Sequence, residues 1–418
     1  MATPTKLLSD EERPGKTHYT ILFMSWAGWL FDFYDLILYS FLLIPISQEL
    51  GLTDMESSLV LGTSLAMTAV GGVFFGYLSD KIGRKRVLQL TILTYSIGTF
   101  MCGFSQGIVW LLFWRSVTGL GVGGEWATGQ TYVGETFPPK VRGRYGAYMQ
   151  TGAPLGIALA TVVGSFFAPV FGWRAAFIVS VIPALLVVFI RKMLPESDLW
   201  LLRREAESKG TVLKKNKILE LVSPALRRVF LFALVLTVFD MCAYWFTYSW
   251  LPAYLHKERG FSMAKSGLWM LVTQTGGFLG YAAFGHIADK IGRRPTYTLF
   301  SVVMAAGLLM ITVFFETFVS MPSLILVCMF LVGWGTGMFG GYGPLFSEIF
   351  PTRVRGTAMG TAFNLARGIQ FFTPIIITLV AVHYGLAGGI SLAALFALLT
   401  GLWVWVLPET KGKRLVAD

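Results

Sequence analysis

Six ionisable residues stand inside long apolar stretches of the sequence: Asp32, Asp35, Arg115, Glu125, Asp240 and Arg367. A charge at the centre of a bilayer costs about 2.5–3.5 kcal/mol on insertion scales, so each is a functional candidate. Burial favours the neutral form of a carboxylic acid, and a neighbouring guanidinium favours the ionised form. An acid that gains and loses an arginine partner during a conformational cycle therefore takes up and releases a proton. Asp35 and Arg115 are the candidate pair for such proton coupling. At about 1.5 Å per residue, Asp35 lies roughly 24 Å along a first span rising from residue 19. Arg115 lies about 10 Å below the start of a fourth span descending from residue 108. The two depths match. A static buried ion pair is the alternative for Asp35 and Arg115. Asp32 and Glu125 are further candidates to carry the proton, and for Asp32 a buried acid hydrogen-bonded to a neighbouring helix is the alternative.

Arg367 is the candidate substrate anchor. It falls about 15 Å into an eleventh span that starts near residue 357, close to the midplane. Asn364 and Gln370, three residues to either side, share roughly its helix face. A guanidinium between two amides can hold a carboxylate in a bidentate fork. Gln150 and Gln274 put polar groups at similar depths. Asp240 repeats Asp32 at an offset of 208 residues and is expected in the same cavity. Tyr34 and Tyr244, in two aromatic-rich stretches, are candidates to cover the substrate. Packing and interface belts are the commoner use of such aromatics.

These residues need a membrane scaffold. The chain has 418 residues, 55% hydrophobic and only 14% charged, with a mean hydropathy of +0.64. A soluble domain has about a quarter of its residues charged, and disorder needs low hydrophobicity. Both are excluded, and the fold class is all-α and integral to the membrane. Apolar stretches lie at about 19–47, 57–78, 87–106, 108–134, 144–172 and 175–194, then at 229–255, 264–288, 296–318, 322–347, 357–384 and 387–407. The expected organisation is a cytoplasmic tail (1–18), a six-helix half (19–194), a cytoplasmic linker (195–228), a second six-helix half (229–407) and a cytoplasmic tail (408–418). Residues 1–18 lack the pattern of a cleavable signal, so the first span is expected to act as the targeting signal.

The net charge of +11 does not point to nucleic acid, because the basic residues sit in short clusters between spans. With both termini inside, 28 of the 34 Lys and Arg face the cytoplasm and four lie in outer loops; the other two are Arg115 and Arg367. That bias fixes the expected orientation. Cys102, Cys242 and Cys328 lie in apolar stretches without metal-site spacing. The four histidines are scattered near helix ends, and no nucleophile or nucleotide-binding motif is present. The sequence is therefore expected to encode no enzyme and to need no cofactor beyond an ion gradient.

The two halves repeat in register. Gly76–Lys85 (GYLSDKIGRK) recurs as Gly285–Arg294 (GHIADKIGRR), and Glu135-Thr-Phe-Pro recurs as Glu348-Ile-Phe-Pro. Gly119, Gly121 and Gly123 recur as Gly333, Gly335 and Gly337, where close helix packing is the expected role. Leu194-Pro-Glu-Ser recurs as Leu407-Pro-Glu-Thr. The loop pattern G-x-x-x-D-x-x-G-R-[KR] in both halves, the glycine row after Arg115, and the Pro-Glu-Ser/Thr ends together resemble the major facilitator superfamily over essentially the whole chain. Gly123-Gly-Glu-Trp126, Tyr132-Val-x-Glu135, Gly172-Trp-Arg174 and Leu194-Pro-Glu-Ser-Asp-x-Trp200 are similar to sialate:proton symporters and lactate or pyruvate permeases. Sugar porters share much of this pattern.

The resemblance implies twelve helices in two parallel repeats around a midplane site. It also implies an inner gate, in which Asp80, Arg84, Glu135, Arg142 and Glu196 form one charged cluster. By the repeat, Asp289, Arg293, Glu348, Arg355 and Glu409 form the second. Lying near solvent, these pairs are expected to be individually weak. In related sugar:proton symporters an Asp on the first helix faces the fourth-helix Arg, as Asp35 and Arg115 would here. The implied function is alternating-access symport of protons with a small organic anion, a monocarboxylate such as lactate or pyruvate or a sialate-like acid. The expected partners are that acid, protons and membrane lipid, with the chain working as a monomer. A sugar or polyol symporter and a membrane sensor built on the same fold are the alternatives.

Overall fold

The structure, a computed structural model, describes residues 14–138, 140–182, 193–209, 217–248, 251, 254–255, 258–261, 263–318 and 320–413. It is helical throughout, with no strand among the described residues. The first four spans are Lys16–Leu50, Asp54–Ile82, Arg84–Cys102 and Ile108–Thr136. The second starts at a capping box: the Thr53 hydroxyl accepts from the Glu56 N–H at 3.2 Å, and Glu56 accepts in return from the Thr53 N–H at 2.8 Å. The fifth span runs through Arg142–Gln150 and Gly152–Val162, and the sixth opens with Trp173–Val179 before leaving the described residues. A linker helix, Asp198–Ser208, is capped by Ser197.

The second half repeats this plan. Its spans include Arg227–Tyr248, Met263–Ile291 and Arg293–Thr312. The tenth combines Pro322–Gly335, the tight turn Thr336–Gly341 and Tyr342–Ile349. The eleventh begins with Arg355–Ile369, and the last helical stretch, Thr373–Trp403, breaks at Gly385 into the end of the eleventh span and the twelfth. Gly83 and Gly292 join spans two to three and eight to nine with φ of 103° and 105°. A side chain there would be strained and would also meet the Glu196 or Glu409 carboxylate. The repeat read from sequence is thus a repeat of backbone breaks.

Among the described residues, five helices are long and apolar enough to cross a membrane by composition alone. The fourth is not among them because it faces protein more than lipid: every residue from Gly121 to Phe137 is buried. Its glycine row packs as expected. A Cβ at Gly119 or Gly123 would lie 2.2 or 2.1 Å from a carbonyl oxygen of the second span, and one at Gly333 1.8 Å from the eighth-span carbonyl of Thr273. The outer surface of the bundle exposes Phe23, Val109, Phe113, Val170, Leu379 and Leu402. Such a belt of large apolar side chains is covered by lipid, so the protein is a multi-pass membrane protein.

The halves are in backbone contact at the charged end of the molecule. A Cβ at Gly76 in the second span would sit 2.6 Å from the Gly356 carbonyl of the eleventh, and one at Gly285 in the eighth 2.5 Å from the Arg144 backbone of the fifth. Two backbone-to-backbone crossings, related by the repeat, therefore seal one end.

Candidate functional site

The sealed end is held by two matching charged clusters. In the first, Arg84 donates to Glu135 from Nε at 3.1 Å and from Nη2 at 2.9 Å, and to Asp80 from Nη1 at 2.9 Å. Glu196 accepts from the Arg84 N–H at 2.8 Å. In the second, Arg293 donates to Glu348 at 3.2 and 2.9 Å and to Asp289 at 2.7 Å, and Glu409 accepts from the Arg293 N–H at 2.9 Å.

The membership differs from the sequence expectation in one respect. Arg142 and Arg355 trade places. Arg355 donates across the interface to Glu135 at 2.7 Å, and Arg142 reaches Glu348 at 3.4 Å. The aspartates cross as well. Asp80 accepts from the Gly356 and Thr357 N–H groups at 3.1 and 2.8 Å, at the start of the eleventh span. Asp289 accepts from the Gly143 and Arg144 N–H groups at 3.1 and 2.9 Å, at the start of the fifth. Each half thus supplies an anion to the positive end of a helix in the other. Sequence offsets alone could not reveal the exchange, because they relate equivalent residues and not neighbours.

The expectation of weak pairs near solvent is also corrected: the side chains of Arg84, Asp80 and Glu135 are fully buried. Removing one partner of a buried pair costs about 3–5 kcal/mol. Burial pushes the Glu196 pKa up, against the N–H groups of Ser197 and Lys85.

Beyond the seal, a central cavity lies between the halves. Trp29 and Phe33 of the first span, Gln150 and Ala153 of the fifth, Met241, Tyr244 and Trp245 of the seventh, Tyr281 of the eighth, Phe339 of the tenth, and Phe363 and Arg367 of the eleventh line it. Its floor is bridged from half to half. Trp126 stacks on Phe363 with centroids 3.7 Å apart, and Gln150 Nε2 donates to the Phe339 carbonyl at 2.9 Å. The free space is about 20 Å³, room for one water. The halves must part to admit anything larger.

Arg367 is 3% exposed and makes no ion pair among the described residues. Its guanidinium lies over the Phe363 ring at 5.0 Å and near Trp29 at 5.7 Å, and Nη1 has no hydrogen-bond acceptor. Asp32 and Tyr244 are its polar neighbours. Asp32 is fully buried, with neither carboxylate oxygen hydrogen-bonded. Glu125, also buried, accepts from Thr91 at 2.8 Å and packs its other oxygen against Gly28.

Asp35 and Arg115 are neighbours, as expected, but not as an ion pair. Arg115 Nη1 donates to the main-chain carbonyl of Asp35 at 3.3 Å, and its guanidinium lies 5.1 Å from the Tyr39 ring. Thr99 is the other polar group beside the Asp35 carboxyl. Both residues are buried in the first half, away from the cavity lining.

Of the amides and tyrosines read from sequence, only Gln150 and Tyr244 line the cavity. Asn364 instead bridges the halves, donating to the carbonyls of Gly123 at 2.8 Å and Gly360 at 3.0 Å. Gln370 is tied to Ala366 and Thr373. Gln274 is half-buried outside the lining. Tyr34 bonds Ser180 at 2.9 Å, and Asp240 accepts from Tyr342 at 2.5 Å. The amides of Asn364 and Gln370 are committed to these partners and neither lines the cavity beside Arg367. Sequence reasoning missed Tyr281, Phe339 and Phe363. Phe363 stands four residues before Arg367, so helical spacing alone could have placed it on the same face.

The chain as a whole has counterparts among known proteins. The sialic acid transporter NanX of Escherichia coli is 31% identical over 393 residues, covering 91% of this chain and 93% of its own. The cis,cis-muconate transport protein of Acinetobacter baylyi is 32% identical over 362 residues, covering 86% and 87%. The solved structure of the proton:xylose symporter XylE bound to 6-bromo-6-deoxy-D-glucose superposes with a TM-score of 0.78 at 22% identity, over 96% of this chain and 98% of that one. The family model for the Major Facilitator Superfamily matches residues 22–314 and 266–417, and the chain belongs to that superfamily of transporters.

Proposed function

We propose that this transporter is a symporter that moves a small organic anion bearing a carboxylate together with protons. The observation that carries the reading is Arg367: a buried guanidinium in the wall of the cavity between the halves, without an acid paired to it. A carboxylate entering there replaces water with a charge-assisted hydrogen bond. The aromatic wall of Trp29, Phe33, Tyr244, Trp245, Tyr281, Phe339 and Phe363 suits a flat or unsaturated acid better than one covered in hydroxyls. A polyhydroxylated ligand would leave polar groups unpaired against those rings. Relatives named for sialic acid and for muconate support an acid as cargo.

In this reading the charged end faces the cytoplasm, both termini lie there, and the clusters around Arg84 and Arg293 are the inner gate. Substrate bound to both halves favours their closure, because its contacts to both form only then. Asp32, Glu125 and Asp35 are the acids that take up protons. Asp32 lies between Arg367 and Glu125 in the electrostatics of the site, so an arriving anion and an arriving proton act on the same group. The chain works as a monomer.

The test is uptake into proteoliposomes of labelled lactate, pyruvate, cis,cis-muconate, sialate and glucose under an imposed inward proton gradient. Gradient-driven uptake of an acid is expected. Uptake of glucose alone would replace this reading with a sugar symporter.

A further inference from the structure

A second cavity, of about 420 Å³, opens at the charged end, apart from the central site and beside the first charged cluster, whose Asp80 lies in its wall. Three parts of the chain build it. Tyr77, Asp80 and Lys81 come from the end of the second span. Trp200, Arg203, Arg204, Glu207 and Ser208 come from the linker helix, and Thr352 and Arg353 from the loop before the eleventh span. Its size is that of a small-molecule site.

Its charges are unevenly matched. Asp80 is spent on Arg84 and on the Gly356 and Thr357 N–H groups. Glu207 is spent on Arg203 Nε at 3.1 Å, and Arg353 is paired with Glu220. Lys81 and Arg204 are exposed, and no ion pair to either occurs among the described residues. Arg204 donates one hydrogen to the Lys81 carbonyl at 3.1 Å, and its guanidinium lies 5.1 Å from the Trp200 ring. Arg203, 5% exposed, has an Nη1 donor with no acceptor. The cavity therefore offers cations on both flanks, an aromatic wall and no uncommitted carboxylate.

We propose that this cavity binds an anion carrying a phosphate group and that binding holds the charged end shut. Lys81 and Arg204 supply the charge, and Arg203 and Arg353 line the walls. An arginine matches a phosphate in a bidentate fork, and a lysine meets it as a point charge. Because the cavity is walled by the second span of one half and Thr352–Arg353 of the other, its ligand is held fully only while the halves touch. Ligand binding thus opposes opening at this end. The phosphate group has two possible sources, a soluble phosphorylated compound or a phospholipid headgroup at the membrane surface.

The experiment uses the full chain, wild type and Lys81→Gln/Arg204→Gln, which alters only exposed residues outside the gate pairs and the central site. Thermal unfolding in detergent is followed with inorganic phosphate and with chloride at equal ionic strength. In parallel, unfolding is followed in vesicles of phosphatidylcholine alone and with added phosphatidylglycerol. A stabilisation by phosphate over chloride in wild type, with apparent affinity about tenfold or more weaker in the double variant, supports the site with a soluble ligand. Stabilisation by phosphatidylglycerol alone, again lost in the variant, supports it with a lipid headgroup. No selective stabilisation in either arm, or equal stabilisation of the two proteins, overturns the proposal. The readout does not depend on what is transported, so it stands apart from the uptake test above.

Discussion

At the scale of single residues, the account turns on two arginines that sit in different company. Arg115 rests against the Asp35 main chain and the Tyr39 ring, inside one half. Arg367 stands at the cavity between the halves and makes no ion pair among the described residues. Substituting Arg367 by Ala should weaken binding of a carboxylate substrate about 10- to 100-fold, as expected for loss of a charge-assisted hydrogen bond, measured by calorimetry on purified protein. Affinity within twofold of wild type would remove Arg367 from the site. Gly28 gives a second residue-scale test. A Cβ there would lie 2.0 Å from Glu125 Oε1, so Gly28→Ala must displace that carboxylate. Gradient-driven uptake should fall sharply in Gly28→Ala while the protein still purifies folded. Unchanged uptake would mean that the position of Glu125 against the first span does not matter for coupling. The six ionisable residues were legible in the sequence because charges in apolar stretches are costly and so conspicuous. The aromatic wall was not, because a phenylalanine facing a cavity and one facing lipid read alike.

At the scale of elements, the charged end is tied by an exchange of anions between helix starts, which under the proposed function closes the inner gate. Each half keeps its own arginine bound to its own acids, Arg84 with Asp80 and Glu135, Arg293 with Asp289 and Glu348. Opening needs only the crossing contacts to break. Arg84 and Arg293 keep their own acids as the halves part, while Arg355 and Arg142 leave Glu135 and Glu348 and pass to water. Asp80→Asn should weaken closure by reducing the charge at the eleventh-span N-terminus. Arg355→Ala should do the same by removing its bond to Glu135. Both should raise the labelling rate of a cysteine placed at Thr131, whose hydroxyl now donates to Met359 of the other half. A rate equal to that of the same cysteine in an otherwise wild-type background would rule out a gating role.

The loops that carry the gate were legible from the repeat, down to Gly83 and Gly292. Which arginine joins which cluster was not, because that depends on how the halves face each other.

At the scale of the whole molecule, the two halves are repeats in sequence, in backbone breaks and in gate chemistry, yet differ in the cavity. The first half carries Asp32, Asp35 and Glu125, all buried, and the second carries Arg367 and most of the aromatic wall. Under the proposed function, this division would give the protons to one half and the anion to the other, with coupling the requirement that both be loaded before the halves rock. Because the gate is symmetric, Asp289→Asn should disturb closure about as much as Asp80→Asn does in the same labelling assay. A large difference would show that the repeat is structural but not functional.

The central claim is that Arg367 receives a carboxylate whose passage is tied to protons. The most direct measurement is uptake of labelled cis,cis-muconate and pyruvate into proteoliposomes with and without an inward proton gradient, for wild type, Arg367→Ala and Asp35→Asn. The account predicts gradient-driven accumulation of an acid by wild type, none by Arg367→Ala, and exchange without gradient-driven accumulation by Asp35→Asn. Accumulation of the acid by Arg367→Ala at the wild-type rate and affinity would contradict it.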